Sequence, residues 1–150
     1  MPLVDDQVRK QVRSALADMA HTVKMLMFTQ GEGGALECQF CTEARDLAQE
    51  VAALSDHITL EIRDFVADEA LATLHGVDKI PALVLLGDGG PQPRDYGIRF
   101  FGIPAGYEFS TLIEDLRMVA SGDPKLGADT MKFLASLRQP VHLQVYVTPT

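Results

Sequence analysis

Two cysteines three residues apart are the residues of this sequence best suited to chemistry. Both lie in the segment Glu37-Cys38-Gln39-Phe40-Cys41, between an apolar run and a helical stripe. Residues three apart on a first helical turn share a face, so their sulfurs can join, and the helix dipole favours a thiolate at the leading sulfur. The motif therefore predicts thiol–disulfide exchange, with Cys38 as the nucleophile and Cys41 as the resolving thiol.

Such exchange moves two electrons without a metal or a bound cofactor, so the motif predicts no cofactor. Glu37 opposes the thiolate and the motif has no Lys, Arg or His, so we expect only a modest depression of the pKa of Cys38. The loop between the cysteines is short, which favours easy reduction. Gln39 and Phe40 place a flat aromatic ring beside the sulfur, where it can seat an apolar substrate segment.

Two other interpretations compete for the cysteine pair. A zinc site needs about four ligands, and the histidines lie at unrelated positions without metal-site spacing. An inert pair of cysteines is the second alternative, and the strand-to-helix context of the motif argues against it. The four histidines are His21, His57, His75 and His142.

A proline at the start of an apolar run supports the redox interpretation. Ile80-Pro81 directly precedes Ala82 to Leu86, and proline does not occur inside a central strand, so it must begin the strand. A cis Ile80–Pro81 bond would turn the chain and expose the backbone of Ile80 for pairing with a substrate segment. The general frequency of cis bonds favours a trans bond, but together with the cysteine pair we predict the cis form.

The order of apolar patterns predicts an α/β fold. After an N-terminal helix, strands and helices alternate as βαβαββα, which predicts a mixed sheet covered on both faces. Thr111 and Glu114 form a capping-box pattern that predicts the start of the last helix of this unit. The predicted strands lie at Val23 to Phe28, Ile58 to Ile62, Ala82 to Leu86 and Tyr96 to Phe100, and the other helices at Val4 to Met19, Ala44 to Leu54 and about Asp68 to His75.

The last part of the chain differs from the unit before it. Residues 1–122 are predicted to form one α/β unit with its N-terminal helix. Residues 123–150 are expected to form a linker, a helix at about Asp129 to Leu137 and a strand at Val141 to Val147 that opens an incomplete second unit. A strand edge without a sheet recruits other strands, so we expect a homodimer through this strand or an altered docking of the tail.

Charge and composition limit the partners. The 150 residues include 13 Lys and Arg against 21 Asp and Glu, a net charge of −8. An acidic protein repels phosphate backbones and anionic lipids, which argues against nucleic acid and membrane partners. The segment Met1 to Lys10 lacks the basic and apolar regions of a secretory signal, so a cytoplasmic location is expected.

Three segments carry a family likeness. They are Glu37 to Cys41, Arg99 to Phe109 and Val145 to Thr150, and the turn Lys79-Ile80-Pro81 adds to the likeness. With the βαβαββα order, they resemble the glutaredoxin-like protein disulfide oxidoreductases of the thioredoxin-fold superfamily. That family carries two such units in tandem, each usually with its own CxxC, and this chain resembles the N-terminal unit.

The resemblance implies roles for particular residues. Cys38 would be the nucleophile and Cys41 the resolving thiol, with Pro81 as a cis proline and Ile80 and Gly102 in the substrate groove. It also implies protein disulfides as substrates and a flavin-dependent, thioredoxin-reductase-like electron donor. Isomerisation, which the family ties to cooperation between its two sites, is not expected of one unit.

Two departures from related patterns matter. Thioredoxins keep a carboxylate in the strand before the CxxC, but Met25 to Phe28 is apolar, so proton transfer at Cys41 needs another base: Glu32, Glu37 or water. Glutaredoxins that use glutathione share a Gly-Gly then Asp pattern, where this chain has the segment Gly102 to Gly106, so glutathione is not expected. The sequence thus predicts a cytoplasmic protein disulfide oxidoreductase; the competing hypothesis is a redox-regulated adaptor module with little turnover.

Overall fold

The computed structural model describes residues 3–31 and 33–148. Helices and strands alternate along these residues in the order α1-β1-α2-β2-α3-β3-β4-α4-α5. The βαβαββα order expected after an N-terminal helix is confirmed. The elements are α1 (Asp6–Leu16), β1 (Val23–Thr29), α2 (Cys41–Ala52), β2 (Ile58–Asp64), α3 (Glu69–Leu74), β3 (Ala82–Gly87), β4 (Arg94–Phe101), α4 (Tyr107–Ser121) and α5 (Ala128–Ser136).

The four strands form one mixed sheet in the order β2-β1-β3-β4. Strand β1 runs parallel to β2, with Thr29 opposite Asp64. It runs antiparallel to β3, with Phe28 opposite Ala82, and β3 pairs antiparallel with β4. The carboxyl ends of β1 and β2 therefore meet the beginning of β3 at one edge of the sheet.

The apolar side chains of the central strands pack into a core on each face of the sheet, because successive strand side chains point to opposite sides. From β1, Met25 and Met27 enter the larger core cluster, which also holds buried residues of α1, α2 and α4. Leu26 and Phe28 enter a smaller cluster on the other face with Ala72 of α3. The helices thus pack on both sides, as the parallel crossover requires.

Helix α1 is tied to α2 by a single carboxylate. Glu50 of α2 accepts hydrogen bonds from the main-chain N–H groups of Leu3 at 2.7 Å and Val4 at 3.1 Å, and from Arg9 at 2.9 Å. These bonds, with that to the Leu3 N–H the strongest, hold the pKa of the Glu50 carboxyl below its usual value against the opposing effect of burial. Asp5 caps the start of α1 by accepting from Val8 N–H at 2.9 Å.

Two expectations about elements were wrong. The Thr111 and Glu114 capping box does not start a helix, because α4 already begins at Tyr107, directly after Gly106 with a φ of +60° that glycine adopts readily. The segment 141–147 does not form a strand, and all of its residues are exposed. A lone strand has no ladder of hydrogen bonds to hold it, and no partner strand for this segment is present among residues 3–31 and 33–148.

The predicted C-terminal helix is present as α5, and none of its residues is buried. Its apolar side chains Met131, Phe133 and Leu134 are 44% to 63% exposed. Across the described ranges, no helix combines the length and apolar character needed to cross a lipid bilayer.

Candidate redox site

Cys38 and Cys41 form a disulfide at the start of α2, with their Cα atoms 5.5 Å apart. Cys41 is the first residue of the helix, while Cys38 lies on the turn that precedes it. The expectation that both cysteines share the first helical turn is therefore only half right. Phe40 caps the helix with a backbone outside the helical region and no capping side chain, while the N–H of Cys41 donates to the carbonyl of Cys38 at 3.5 Å and closes the turn between the cysteines.

The two sulfurs differ in access. Cys41 is 1% exposed, whereas Cys38 is partly exposed beside the exposed residues Gln39 and Phe40. A disulfide or thiol arriving from solvent can therefore reach Cys38 but not Cys41. This asymmetry is the one expected for an attacking and a resolving cysteine.

Gln30, one residue beyond the end of β1, connects the disulfide to the neighbouring strand. Its main-chain N–H donates to Cys41 Sγ at 3.4 Å, and its side-chain Nε2 donates to Asp64 Oδ2 at 3.2 Å. The residue is buried, and its carbonyl oxygen Oε1 has no hydrogen-bond partner within the described part of the chain. Sequence reasoning missed Gln30; its only signal was a polar residue directly after an apolar strand.

Pro81 and Gly102 lie at the same edge of the sheet as the cysteines. Ala82 pairs with Phe28 near the end of β1, which places Pro81 close to the segment that leads to the CxxC. The Ile80–Pro81 peptide bond is cis, and the N–H of Gly102 donates to the carbonyl of Pro81 at 2.9 Å. Ile80 is half-buried and packs against the smaller core cluster.

Exposed apolar side chains surround this edge. Phe40 is 49% and Phe101 40% exposed, and Leu36, in the loop before the cysteines, is 44% exposed. Lys79 lies over the ring of Phe101, with its Nζ 4.5 Å from the ring centre, and also pairs with Asp78 at 2.8 Å. The topology thus brings the predicted groove residues of three separate segments, 39–40, 80–81 and 102, to one end of the sheet.

The carboxylates considered as proton acceptors have different positions. Glu37 is exposed and adjoins Cys38 in the chain, while Glu32 lies outside the described residues. Asp64 was not anticipated; it reaches the disulfide region through Gln30. The strand segment Met25 to Phe28, where thioredoxins carry a carboxylate, is apolar and buried.

The histidines of the zinc alternative do not form a cluster with the cysteines in the described part of the chain. No group of three or more His, Cys, Asp or Glu side chains there is arranged to hold a metal ion. His75 instead bonds Asp95 through Nδ1 at 3.0 Å.

Comparisons with known proteins point to one fold. No protein-family model matches the chain. The AhpF subunit of alkyl hydroperoxide reductase from Staphylococcus epidermidis is 27% identical over 108 residues, which cover 72% of this chain and 18% of that protein. The solved structure of AhpF from Enterococcus faecalis is 28% identical with a TM-score of 0.77, covering 89% of this chain and 61% of that one.

A second solved structure extends the likeness. The protein disulfide oxidoreductase of Aeropyrum pernix has a TM-score of 0.72 at 23% identity, over 89% of this chain and 55% of that one. In each comparison the chain spans less than two thirds of the other protein's length.

The fold and the cysteine pair define the class: the chain has a thioredoxin-like α/β fold, as the sequence predicted, with a CxxC disulfide at the start of α2. Within that class, it is similar to part of the AhpF proteins of alkyl hydroperoxide reductases.

Proposed function

We propose that this chain exchanges electrons with protein disulfides through Cys38 and Cys41. The observation that carries the proposal is the unequal burial of the two sulfurs at the start of α2, with Cys41 at 1% exposure and Cys38 within reach of solvent. The similarity to a protein disulfide oxidoreductase and to a reductase subunit supports the same activity.

The reaction consists of two thiol–disulfide exchanges. In the reduced protein, the Cys38 thiolate attacks a substrate disulfide; a bond to Cys38 Sγ forms, the substrate bond breaks and one substrate sulfur leaves as a thiolate. Deprotonated Cys41 then attacks Cys38 Sγ, which forms the Cys38–Cys41 disulfide and releases the second substrate sulfur with its electron pair. A dithiol donor reverses both steps, and Cys41 is then the leaving thiolate.

The groove for the substrate chain is formed in this proposal by three segments. Gln39 and Phe40 lie on the exposed turn between the cysteines, and Phe40 supplies an apolar face next to Cys38. Ile80 and Pro81 directly precede β3 and Gly102 directly follows β4, and an extended substrate segment is proposed to pair there with the main chain of Ile80.

Reduction of insulin by dithiothreitol tests the activity. The wild-type protein should accelerate precipitation of the insulin chains, and Cys38→Ser should reduce the rate to that of dithiothreitol alone. Thr42→Ser, an equally small change at an exposed neighbour in the first turn of α2, is the matched control. No acceleration by the wild-type protein, or equal acceleration by Cys38→Ser, would contradict the proposal.

We propose a flavin-dependent, thioredoxin-reductase-like enzyme in the cytoplasm as the electron donor. The similarity to a subunit of a reductase supports a reductase partner. Consumption of NADPH by such a reductase in the presence of this protein should depend on Cys38. If reduced glutathione with glutathione reductase transfers electrons faster than every flavin-dependent thioredoxin reductase tested, the proposed donor is wrong.

Residues 123–150 are proposed to belong to a second unit. Their segment 141–147 is proposed to pair with the same segment of a second copy of the chain. Val141, Leu143, Val145 and Val147 alternate with polar residues or tyrosine and are 62% to 85% exposed. The segment forms no strand by itself, and pairing with the same segment of a second copy would supply the missing hydrogen-bond ladder and cover part of this apolar stripe. Sedimentation velocity should show a dimer that Val145→Glu dissociates; a monomer at all concentrations would contradict pairing.

A further inference from the structure

We propose that Gln30 and Asp64 form a brace that aims the Gln30 N–H at Cys41 Sγ and thereby assists each step in which Cys41 attacks or leaves as a thiolate. The inference rests on the proposed function and concerns positioning at the same site. Gln30 N–H touches the reacting sulfur, while the two side chains act through it as positioning groups.

The hydrogen bond to sulfur is the first step of the argument. Cys41 is almost completely buried, so water cannot stabilise a thiolate there, and burial by itself disfavours the charged form. The Gln30 N–H, 3.4 Å from Sγ, is a donor already in place, and bonds to charged acceptors are stronger than bonds to neutral ones. It therefore helps most when negative charge develops on Cys41.

Two contacts fix where that N–H points. The Thr29 carbonyl, in the same peptide unit, accepts from Phe65 N–H at 2.9 Å. The side chain of Gln30 supplies the second contact. Its Nε2 donates to Asp64 Oδ2 at 3.2 Å, and the other oxygen of Asp64 accepts from the N–H groups of Val66 and Ala67, each at 2.9 Å. These two N–H groups thus fix the Asp64 carboxylate, which anchors Gln30 to the end of β2.

The orientation of the Gln30 side-chain amide follows from its hydrogen bond to Asp64. A carboxylate accepts only, so Nε2 must face Asp64, and Oε1 is left buried without a partner in the described part of the chain. Burying an acceptor in this way costs free energy that an apolar side chain of the same length would avoid. The link to Asp64 therefore accounts for the glutamine better than packing does.

The Gln30 side chain also packs closely against the backbone of Gly34. A Cβ built on Gly34 would lie 2.0 Å from Gln30 Nε2 and 2.3 Å from its Cγ, so any other residue there must displace the Gln30 side chain. The φ of Gly34 lies outside the left-handed region, so alanine fits its backbone. Gly31, in the same loop, has nothing within 4 Å of a built Cβ and likewise no left-handed φ, which makes it the matched control.

The experiment uses the reduced protein and excess dithiobis(nitrobenzoate) in a stopped-flow instrument. Attack by Cys38 releases the first nitrothiolate, and attack by Cys41 on the mixed disulfide releases the second, so one trace separates the two steps. Gly34→Ala and Gln30→Met should slow the second release about threefold to tenfold, the effect of weakening a hydrogen bond to a charged group, and leave the first unchanged. Gly31→Ala should match the wild-type protein in both phases.

Two substitutions at Asp64 distinguish an effect of its hydrogen bond to Gln30 from an effect of its negative charge. Asp64→Ala removes the anchor and should slow the second release as Gln30→Met does. Asp64→Asn retains an oxygen for Val66 and Ala67, and the Gln30 amide can turn over to accept from the new amide, so this variant should stay within about twofold of the wild-type rate.

The outcomes distinguish this inference from the proposed function. If the wild-type protein releases only one nitrothiolate, the proposed function fails. If the wild-type protein releases both, but Gly34→Ala and Gln30→Met keep the wild-type second phase, only the brace is wrong. Equal slowing by Asp64→Asn and Asp64→Ala would also overturn it, because the carboxylate charge and not the brace would then matter.

Discussion

Cys38 and Cys41 are covalently joined, yet only Cys38 is accessible from solvent: Cys41 is 1% exposed. The two thiols should therefore differ in reactivity once the disulfide is reduced, because alkylation requires both an accessible sulfur and a thiolate.

Alkylation of the reduced protein with a limiting amount of iodoacetamide should modify Cys38 at least about tenfold faster than Cys41, since burial both blocks access and disfavours the thiolate of Cys41. Peptide mass mapping measures the ratio. Alkylation after denaturation is the control and should label both cysteines equally. Equal labelling in the native protein would mean that the burial of Cys41 does not protect it.

A second prediction concerns the ion cluster that joins β4 to the end of α3. Asp95 binds Arg99 at 2.6 and 3.0 Å, Gly97 N–H at 2.9 Å and His75 at 3.0 Å. The bond to Arg99 is the main reason that the pKa of Asp95 is held well below its usual range, against the raising effect of burial. The stabilisation is complete above the ordinary pKa of aspartate and is lost as the pH falls through the lowered folded value.

Asp95→Asn should therefore lower the free energy of unfolding by about 1 kcal/mol at neutral pH, a figure kept small because solvent screens a side chain that is 34% exposed. The loss should shrink below about pH 4, where the unfolded aspartate takes up a proton while the folded one is still ionised. Urea unfolding at pH 3 and pH 7 measures this, with the exposed Asp56→Asn as the control. A destabilisation that grows toward acid pH would refute the assignment.

A third prediction concerns Phe28, a fully buried side chain of the smaller core cluster. It is fully buried on the face of the sheet that α3 covers, so Phe28→Ala should destabilise the protein by about 3–5 kcal/mol. Phe133→Ala, at a phenylalanine of α5 that is 63% exposed, should change the free energy of unfolding by less than about 0.5 kcal/mol. Similar losses at both positions would show that α5 is packed in solution.

The attachment of α1 through Glu50 gives a fourth prediction. Glu50→Ala removes the acceptor for Leu3 N–H, Val4 N–H and Arg9, so the start of α1 should open more often. Hydrogen exchange in the first turn of α1 should accelerate about fivefold to thirtyfold, the effect of losing about 1–2 kcal/mol. The exposed Glu43→Ala on the same helix is the control, and equal exchange in both variants would contradict the role of Glu50.

Much of this fold follows from local patterns in the sequence. The apolar runs of β1 and β3 are distinct enough to predict two central strands, with Met25 and Met27 on one face, and the cysteine spacing in its strand-to-helix context predicts a pair able to form the disulfide. Helix α4 starts earlier than predicted because Gly106, with a positive φ that glycine adopts readily, ends the preceding loop before the capping-box residues are reached. Local pattern alone does not decide between two such signals.

What the sequence could not predict depends on contacts between distant residues. Gln30 and Asp64 are joined only because Thr29 lies opposite Asp64 in the parallel β1–β2 register, and nothing local sets that register. The strand expected at Val141 to Val147 failed for a related reason: its alternation is typical of a strand, but a strand requires a partner to pair with.

The most direct test of the central claim is a trapping experiment with a disulfide-containing peptide. Reduced Cys41→Ser protein should form a stable mixed disulfide in which intact-mass and peptide analysis place the peptide on Cys38, because the resolving sulfur is gone. The wild-type protein should show only transient adduct and end as the Cys38–Cys41 disulfide. Absence of any adduct on Cys38, or resolution of the adduct without Cys41, would contradict the account.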